Sequence, residues 1–201
     1  VQLKKQYPQL KIMVSIGGWG GCAPCSELFR SATHRETFAK TTVALFKEYA
    51  IDGLDLDWEY PAIEGYPGHT YALHDKENFT ALVKKLREEM GNRYLLSFAA
   101  GGFTGYIDQS VDWKEVLPQV DFVNLMTYDL VGGYSTVTGH HTPLADYRPG
   151  QQSVQQCVSQ LLQKNIPADK LIIGAAFYAR VWEQVADSNH GLYQTGKFKQ
   201  G

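Results

Sequence analysis

Ile51-Asp52-Gly53-Leu54-Asp55-Leu56-Asp57-Trp58-Glu59-Tyr60-Pro61 is the stretch that decides how this chain folds. Alternate residues of a strand share a face, so Asp55, Asp57 and Glu59 form one acidic file while Leu54, Leu56 and Trp58 face the other way. A run of charge is usually a solvated face, but a solvated strand would not carry Leu, Leu and Trp on its second side. The reading is a buried strand that delivers three carboxylates into one space. At roughly 6.6–6.8 Å per two residues they cannot all ionise cheaply there, so near neutral pH at least one proton is shared among them. Glu59 is last in the file and nearest the C-terminal rim, which makes it the expected general acid. Asp52 is out of parity with the file and is expected to act structurally at the strand's start. Carboxylates also bind hard cations, but calcium loops of the DxDxDG kind need a glycine turn in a loop, not an apolar-interleaved strand. Proton chemistry is therefore preferred, with no metal and no cofactor.

Outward from this strand, short apolar runs recur at Lys11–Ile16, Ile51–Trp58, Tyr94–Ala99, Val120–Tyr128 and Leu171–Phe177, each read as a buried parallel strand. Helical patterns lie between them. Thr33–Tyr49 is expected to open on a Thr33 cap with Glu36 three residues on, and to bury Phe38, Thr42, Leu45 and Phe46. Asp75–Met90 places Phe79, Leu82, Val83 and Leu86 on one face with Gly91 just past its end. Gln151–Lys164 turns Val154, Val158, Leu161 and Leu162 inward, and Pro167 follows it. Alternating strands and helices of this kind make an α/β fold with a parallel sheet.

Two closures are open to such a chain, a doubly wound sheet or an eight-stranded barrel. A nucleotide-binding doubly wound fold needs a GxGxxG turn leading into a helix. Here Gly17-Gly18-Trp19-Gly20-Gly21 lacks that spacing and runs into Cys22-Ala23-Pro24-Cys25. Polar and aromatic residues instead follow several different strands: Trp19, Glu59, Tyr128 with Asp129, and Tyr178 with Arg180. A (β/α)8 TIM barrel builds its site in that way, from the C-terminal ends of its strands.

Composition removes other classes. The 201 residues carry 19 basic and 21 acidic side chains, a net charge of −2, with 44% hydrophobic and 12% aromatic residues. A pI near 6.3 without a Lys/Arg cluster excludes nucleic acid as the expected partner, because that binding neutralises several phosphates at once. No apolar run approaches the roughly 20 residues of a membrane span, so no membrane insertion is expected. Three cysteines cannot build a disulfide framework, and Cys22 and Cys25 have no second pair to complete a zinc site. The pair can close a small disulfide in an oxidising compartment or stay reduced. Oligomeric state is not legible.

At this point the residues resemble a known family. Asp52–Pro61 resembles the DxxDxDxE signature of the family 18 glycoside hydrolases, the chitinases and their relatives, and Ser15-Ile16-Gly17-Gly18-Trp19 is similar to the SxGG segment that precedes it. LLSFAAGG at 95–102, NLMTYDL at 124–130, TGHHTPL at 138–144 and IIGAAFYAR at 172–180 follow in the family's order. The resemblance implies a retaining hydrolysis of β-1,4-linked N-acetylglucosamine in chitin or chito-oligosaccharides, in which the sugar's own acetamido group replaces the enzyme nucleophile. It implies that Glu59 protonates the glycosidic oxygen, Asp57 supports the acetamido group, Asp55 tunes Asp57, and the Tyr128 hydroxyl holds the acetamido oxygen. Asp129, Tyr178 and Arg180 are implied in substrate binding, although Ala179 stands where the family usually has Gly. Trp19 and Tyr134 look like sugar-stacking platforms, with a core position as the alternative for either ring. Ser15 is placed to hydrogen-bond Asp55, while His140 and His141 are expected to hold a loop.

The resemblance also implies boundaries. Residues 1–183 would form a partial catalytic barrel, about its third to seventh strands, and 184–201 would begin an inserted α+β subdomain, with Gly191–Gly201 as its entry. A typical barrel has about 250 residues, so five strands are three too few and a longer polypeptide is expected; secretion is expected only from the size of polymeric chitin, which cannot enter a cell. The fragment alone is then expected to be inactive. Two further functions compete: an endo-β-N-acetylglucosaminidase on N-glycans, and a non-catalytic chitin-binding relative, which typically replaces the acid that is intact here as Glu59.

Overall fold

The computed structural model describes residues 2–199. In order these form α1 (Gln2–Gln6), β1 (Met13–Gly17), α2 (Cys25–Arg30), α3 (Ala32–Tyr49), β2 (Gly53–Asp57), α4 (Asp75–Met90) and β3 (Leu95–Gly101). They continue as α5 (Thr104–Gln109), α6 (Trp113–Val116), β4 (Phe122–Met126), α7 (Val154–Gln163), β5 (Leu171–Ile173), β6 (Val181–Glu183) and β7 (Lys197–Lys199). Strands β1 to β5 make one sheet in sequence order, every neighbour parallel, which is the sector of a (β/α)8 barrel that the alternating pattern predicts. A separate antiparallel pair, β6 with β7, follows it. Of the segment 184–201, Gln200 and Gly201 lie outside the described residues.

Binary patterning places the core on the outer face of the sheet. Leu54, Leu56 and Trp58 from β2 and its exit pack with Leu96 and Phe98 of β3 against Phe79, Leu82, Val83 and Leu86 of α4. Each such side chain, once fully buried, contributes about 1.5–3 kcal/mol. The inner face of β2 is left to its acids.

Four expectations are corrected in detail. The α3 cap is Ser31, not Thr33: Ser31 has an extended backbone and its side chain accepts from the His34 N–H. Thr33 is therefore already helical. Leu45 and Leu162 are exposed, since Ala39, Thr42 and Phe46 of α3 and Val154, Cys157 and Leu161 of α7 supply the buried positions. The helix expected over 151–164 begins only at Val154, where Ser153 caps it by accepting from the Gln156 N–H. The strands are shorter than their apolar runs, because Tyr128 and Phe177 lie beyond the last ladder pairs of β4 and β5.

Candidate active site

Parallel register assembles the site. Ser15, Asp55 and Ser97 are direct neighbours across β1, β2 and β3. The Ser97 hydroxyl donates to Asp55 Oδ1 at 2.5 Å, the Asn124 amide to the same oxygen at 3.0 Å, and the Ser15 hydroxyl to Oδ2 at 3.2 Å. Four adjacent strands thus fix one carboxylate. At the other end, the backbone supports the file: the Gly18 N–H donates to the Asp57 carbonyl at 2.7 Å. That approach explains Gly17, which has φ +117° and whose Cβ, if present, would overlap the Asp57 carbonyl oxygen. The glycine-rich turn serves strand contact and not phosphate binding.

The acids are graded along the strand. Burial, and then the charge of Asp55, raises the proton affinity of Asp57. Burial, and then the charge of Asp57, pushes Glu59 up to about 7. The two side chains are close enough for the charge of Asp57 to favour a proton on Glu59. Asp57 Oδ1 is buried without a partner, an acceptor that a shared proton or a substrate N–H would satisfy. Tyr128 is half-buried and held protonated by burial and by the charges of Asp57 and Glu59, so its hydroxyl is a donor facing the same acids. The Glu59–Tyr60 peptide bond is cis.

A second cluster stands at the rim after β4. Asp129, with φ 55°, accepts from Arg180 Nε at 2.5 Å and from the Tyr178 hydroxyl at 2.6 Å. Burial acts to raise Asp129, but these two bonds outweigh it and hold its carboxyl below the ordinary range. His141 does hold the loop, its carbonyl accepting the Leu130 N–H, and it also reaches the cluster: its Nδ1 accepts the Asp129 N–H at 3.4 Å and its ring packs on Tyr178. His140 packs instead against Tyr147 and Tyr193.

Trp19 and Tyr134 are 49% and 78% exposed, so neither is a core ring, and the two meet each other with centroids 6.5 Å apart. Trp19 also approaches Tyr60 and Tyr66. The structure therefore unites Ser15, Asp55, Asp57, Glu59 and Tyr128 in one group, Asp129, Tyr178 and Arg180 in a second, and Trp19 with Tyr134 in a third. Sequence reasoning missed Ser97, Asn124 and Tyr66. Asn124 was in phase with Tyr128, a usable signal; Ser97 and Tyr66 gave none. Among the described residues, no group of three or more His, Cys, Asp or Glu side chains is arranged to hold a metal ion.

Parallel barrel strands that present an acid of raised proton affinity beside a second carboxylate, at an aromatic-lined mouth, define a barrel of the glycoside hydrolase class. The comparisons agree: the sequence profile described as Glycosyl hydrolases family 18 matches residues 1–201. The chain belongs to the family 18 glycosyl hydrolases. It is 34% identical over 211 residues to Chitinase A1 of Niallia circulans, covering 96% of this chain and 30% of that protein. It is similar to a solved family 18 N-acetylglucosaminidase from Paenibacillus barengoltzii, with 39% identity and a TM-score of 0.89 over 98% of this chain and 61% of that one. It is also similar to the Group IV chitinase of Ostrinia furnacalis solved with allosamidin, with 32% identity and a TM-score of 0.90 over 100% of this chain and 55% of that one. The chain spans between 30% and 43% of the length of the first curated relatives it matches.

Proposed function

We propose that the protein carrying this chain is a chitinase that cleaves β-1,4 links between N-acetylglucosamine units with retention of configuration. The observation that carries the reading is the graded file, in which Glu59 keeps a proton to about pH 7 while sitting next to Asp57. Glu59 donates that proton to the glycosidic oxygen as the bond to the leaving sugar breaks. The acetamido carbonyl of the sugar on the other side attacks the anomeric carbon and closes an oxazolinium ring. Asp57, through its unpaired Oδ1, accepts the acetamido N–H and, as a carboxylate, counterbalances the positive charge that develops on the oxazolinium ring. Tyr128 donates to the acetamido oxygen and holds it in line for attack. Water then opens the ring from the same face, losing a proton to Glu59, which restores the acid.

Asp55 acts through Asp57, and Ser15, Ser97 and Asn124 act through Asp55. Asp129, Tyr178 and Arg180 are read as substrate contacts at the rim, and Trp19 and Tyr134 as ring platforms. Residues 184–201 are read as the start of an inserted α+β subdomain, with β7 in it pairing back across that boundary onto β6 at Val181–Glu183. A secreted setting is supported by the size of the polymer and by the Cys22–Cys25 disulfide, a bond at home in oxidising compartments. The intact acid favours catalysis over sugar binding alone. The test is the anomeric form of fresh product: chitohexaose cleaved by the protein should yield β-anomers at first, detected by proton NMR within the first minutes. Initial α-anomers would rule out retention, and no cleavage with tight binding would favour the lectin-like alternative.

A further inference from the structure

Asp129 is a non-glycine residue in the left-handed region, with φ 55°. An L-residue adopts that conformation at a cost and keeps it only where its surroundings fix it. One residue supplies the fixing. His141 accepts two successive backbone N–H groups, that of Asp129 on its ring Nδ1 at 3.4 Å and that of Leu130 on its carbonyl oxygen at 3.0 Å. Its ring also packs on Tyr178, with centroids 5.3 Å apart and planes at 41°. We propose that His141 is a positioning residue for substrate binding, which fixes the backbone of Asp129 and through it the aim of Tyr178 and Arg180. The inference rests on the reading of those three residues as sugar contacts and adds to it the group that sets them.

Distances within the cluster divide the work. The Asp129 carboxylate is taken by Arg180 Nε on Oδ1 at 2.5 Å and by the Tyr178 hydroxyl on Oδ2 at 2.6 Å. The His141 Nδ1 stands 3.7 Å from Oδ1, outside hydrogen-bond range, so the ring serves the backbone N–H and leaves the carboxylate to the other two. An Nδ1 that accepts puts the proton of the neutral imidazole on Nε2. The Arg180 guanidinium lies 4.9 Å from the centre of the Tyr178 ring, so imidazole and guanidinium both meet that ring. The His141 side chain is only 17% exposed, so it acts through its neighbours and not by touching the sugar.

Tyr128, the residue before Asp129, is seated separately. The Gly174 N–H donates to the Leu125 carbonyl at 2.9 Å, which brings the Gly174 backbone so close that a Cβ there would stand 2.9 Å from the Tyr128 ring. Release of Asp129 should therefore loosen the rim and leave Tyr128 in place, so that binding suffers and the chemical step does not. His140, the adjacent imidazole, packs on Tyr147 and Tyr193 and is a control for the loop as a whole.

The experiment measures kcat and KM on chitohexaose for the protein that carries this chain and for its His141→Asn, His141→Phe and His140→Ala variants. Asn bears its Oδ1 acceptor on Cγ, the atom that bears Nδ1 in His, so His141→Asn should keep KM within about twofold of the wild type, as should the control His140→Ala. Phe keeps a ring on Tyr178 but accepts nothing. His141→Phe should raise KM by about three- to tenfold with kcat within about twofold, the scale of one hydrogen bond between neutral groups. A Phe variant with the wild-type KM, an Asn variant that behaves like the Phe variant, or an equal rise in His140→Ala overturns the proposal. So does a fall in kcat without a rise in KM. Nitrogen NMR of the wild type with labelled histidine gives a reading that needs neither substrate nor variant: neutral His141 should carry its proton on Nε2, and a proton on Nδ1 also overturns the proposal. No cleavage of any chito-oligosaccharide by the wild type would instead count against the hydrolase reading beneath, and the ring tautomer would still test the hold on Asp129.

Discussion

As the proposed general acid, Glu59 would work only while protonated, so raising the pH should switch this site off near 7. Burial first, and then the charge of Asp57, lift Glu59 from an ordinary 4.5 to about 7. At pH 6 the side chain is then about nine-tenths protonated, whereas an unshifted glutamic acid would be about 3% protonated; at pH 9 the shifted group falls to about 1%. The same shift has a stability consequence of definite sign. The folded state binds the proton more tightly than the unfolded one, so this contribution is fully present below about pH 4.5 and lost as pH rises through about 7. A shift of that size corresponds to about 3 kcal/mol at most. The assay is kcat/KM on chitohexaose from pH 4 to 9, which reports the free enzyme's groups, with thermal melts followed by tryptophan fluorescence at each pH. The account expects the alkaline limb to bend near 7 while the protein is still folded. A bend near 4.5–5, or activity undiminished at pH 9, would refute the proton placement.

Other perturbations separate the site from its support. Asn124→Leu removes a donor to Asp55 at 3.0 Å and should cost about 1–3 kcal/mol of stability, read as a lower Tm, along with a fall in kcat. Asp75 is fully buried at the start of α4, accepting from Ser26 Oγ at 2.9 Å and the Ala72 N–H at 2.7 Å. Asp75→Ala should destabilise by about 2–3 kcal/mol in chemical denaturation, while the pH at which the surviving activity bends stays put. The Cys22–Cys25 disulfide closes the turn that follows Trp19. Replacing both by Ser should cost about 2 kcal/mol by chain entropy and raise KM more than it lowers kcat; an unchanged KM would mean that the disulfide does not position Trp19.

What the sequence could show depended on distance along the chain. Helix α4 was legible at both ends, because its first acids, its apolar stripe and Gly91 are all local signals. The acidic file was legible for the same reason, since two-residue alternation within one strand fixes its face. Ser97 and Asn124 were hidden as partners of Asp55, because their approach depends on the register of strands 42 and 69 residues away. The α3 cap was misplaced by two residues because both Ser31 and Thr33 can cap, and only the extended backbone at Ser31 decides between them. The meeting of Trp19 with Tyr134 lay furthest out of reach, as it joins two loops whose courses no periodicity specifies.

The most direct test of the central claim is Glu59→Gln, which keeps the shape of the side chain and removes its proton. Turnover of chitohexaose by the protein carrying this chain should fall by at least about 10²–10⁴-fold, with oligosaccharide binding measured by calorimetry largely retained. A Glu59→Gln protein that cleaves as fast as the wild type would contradict the account.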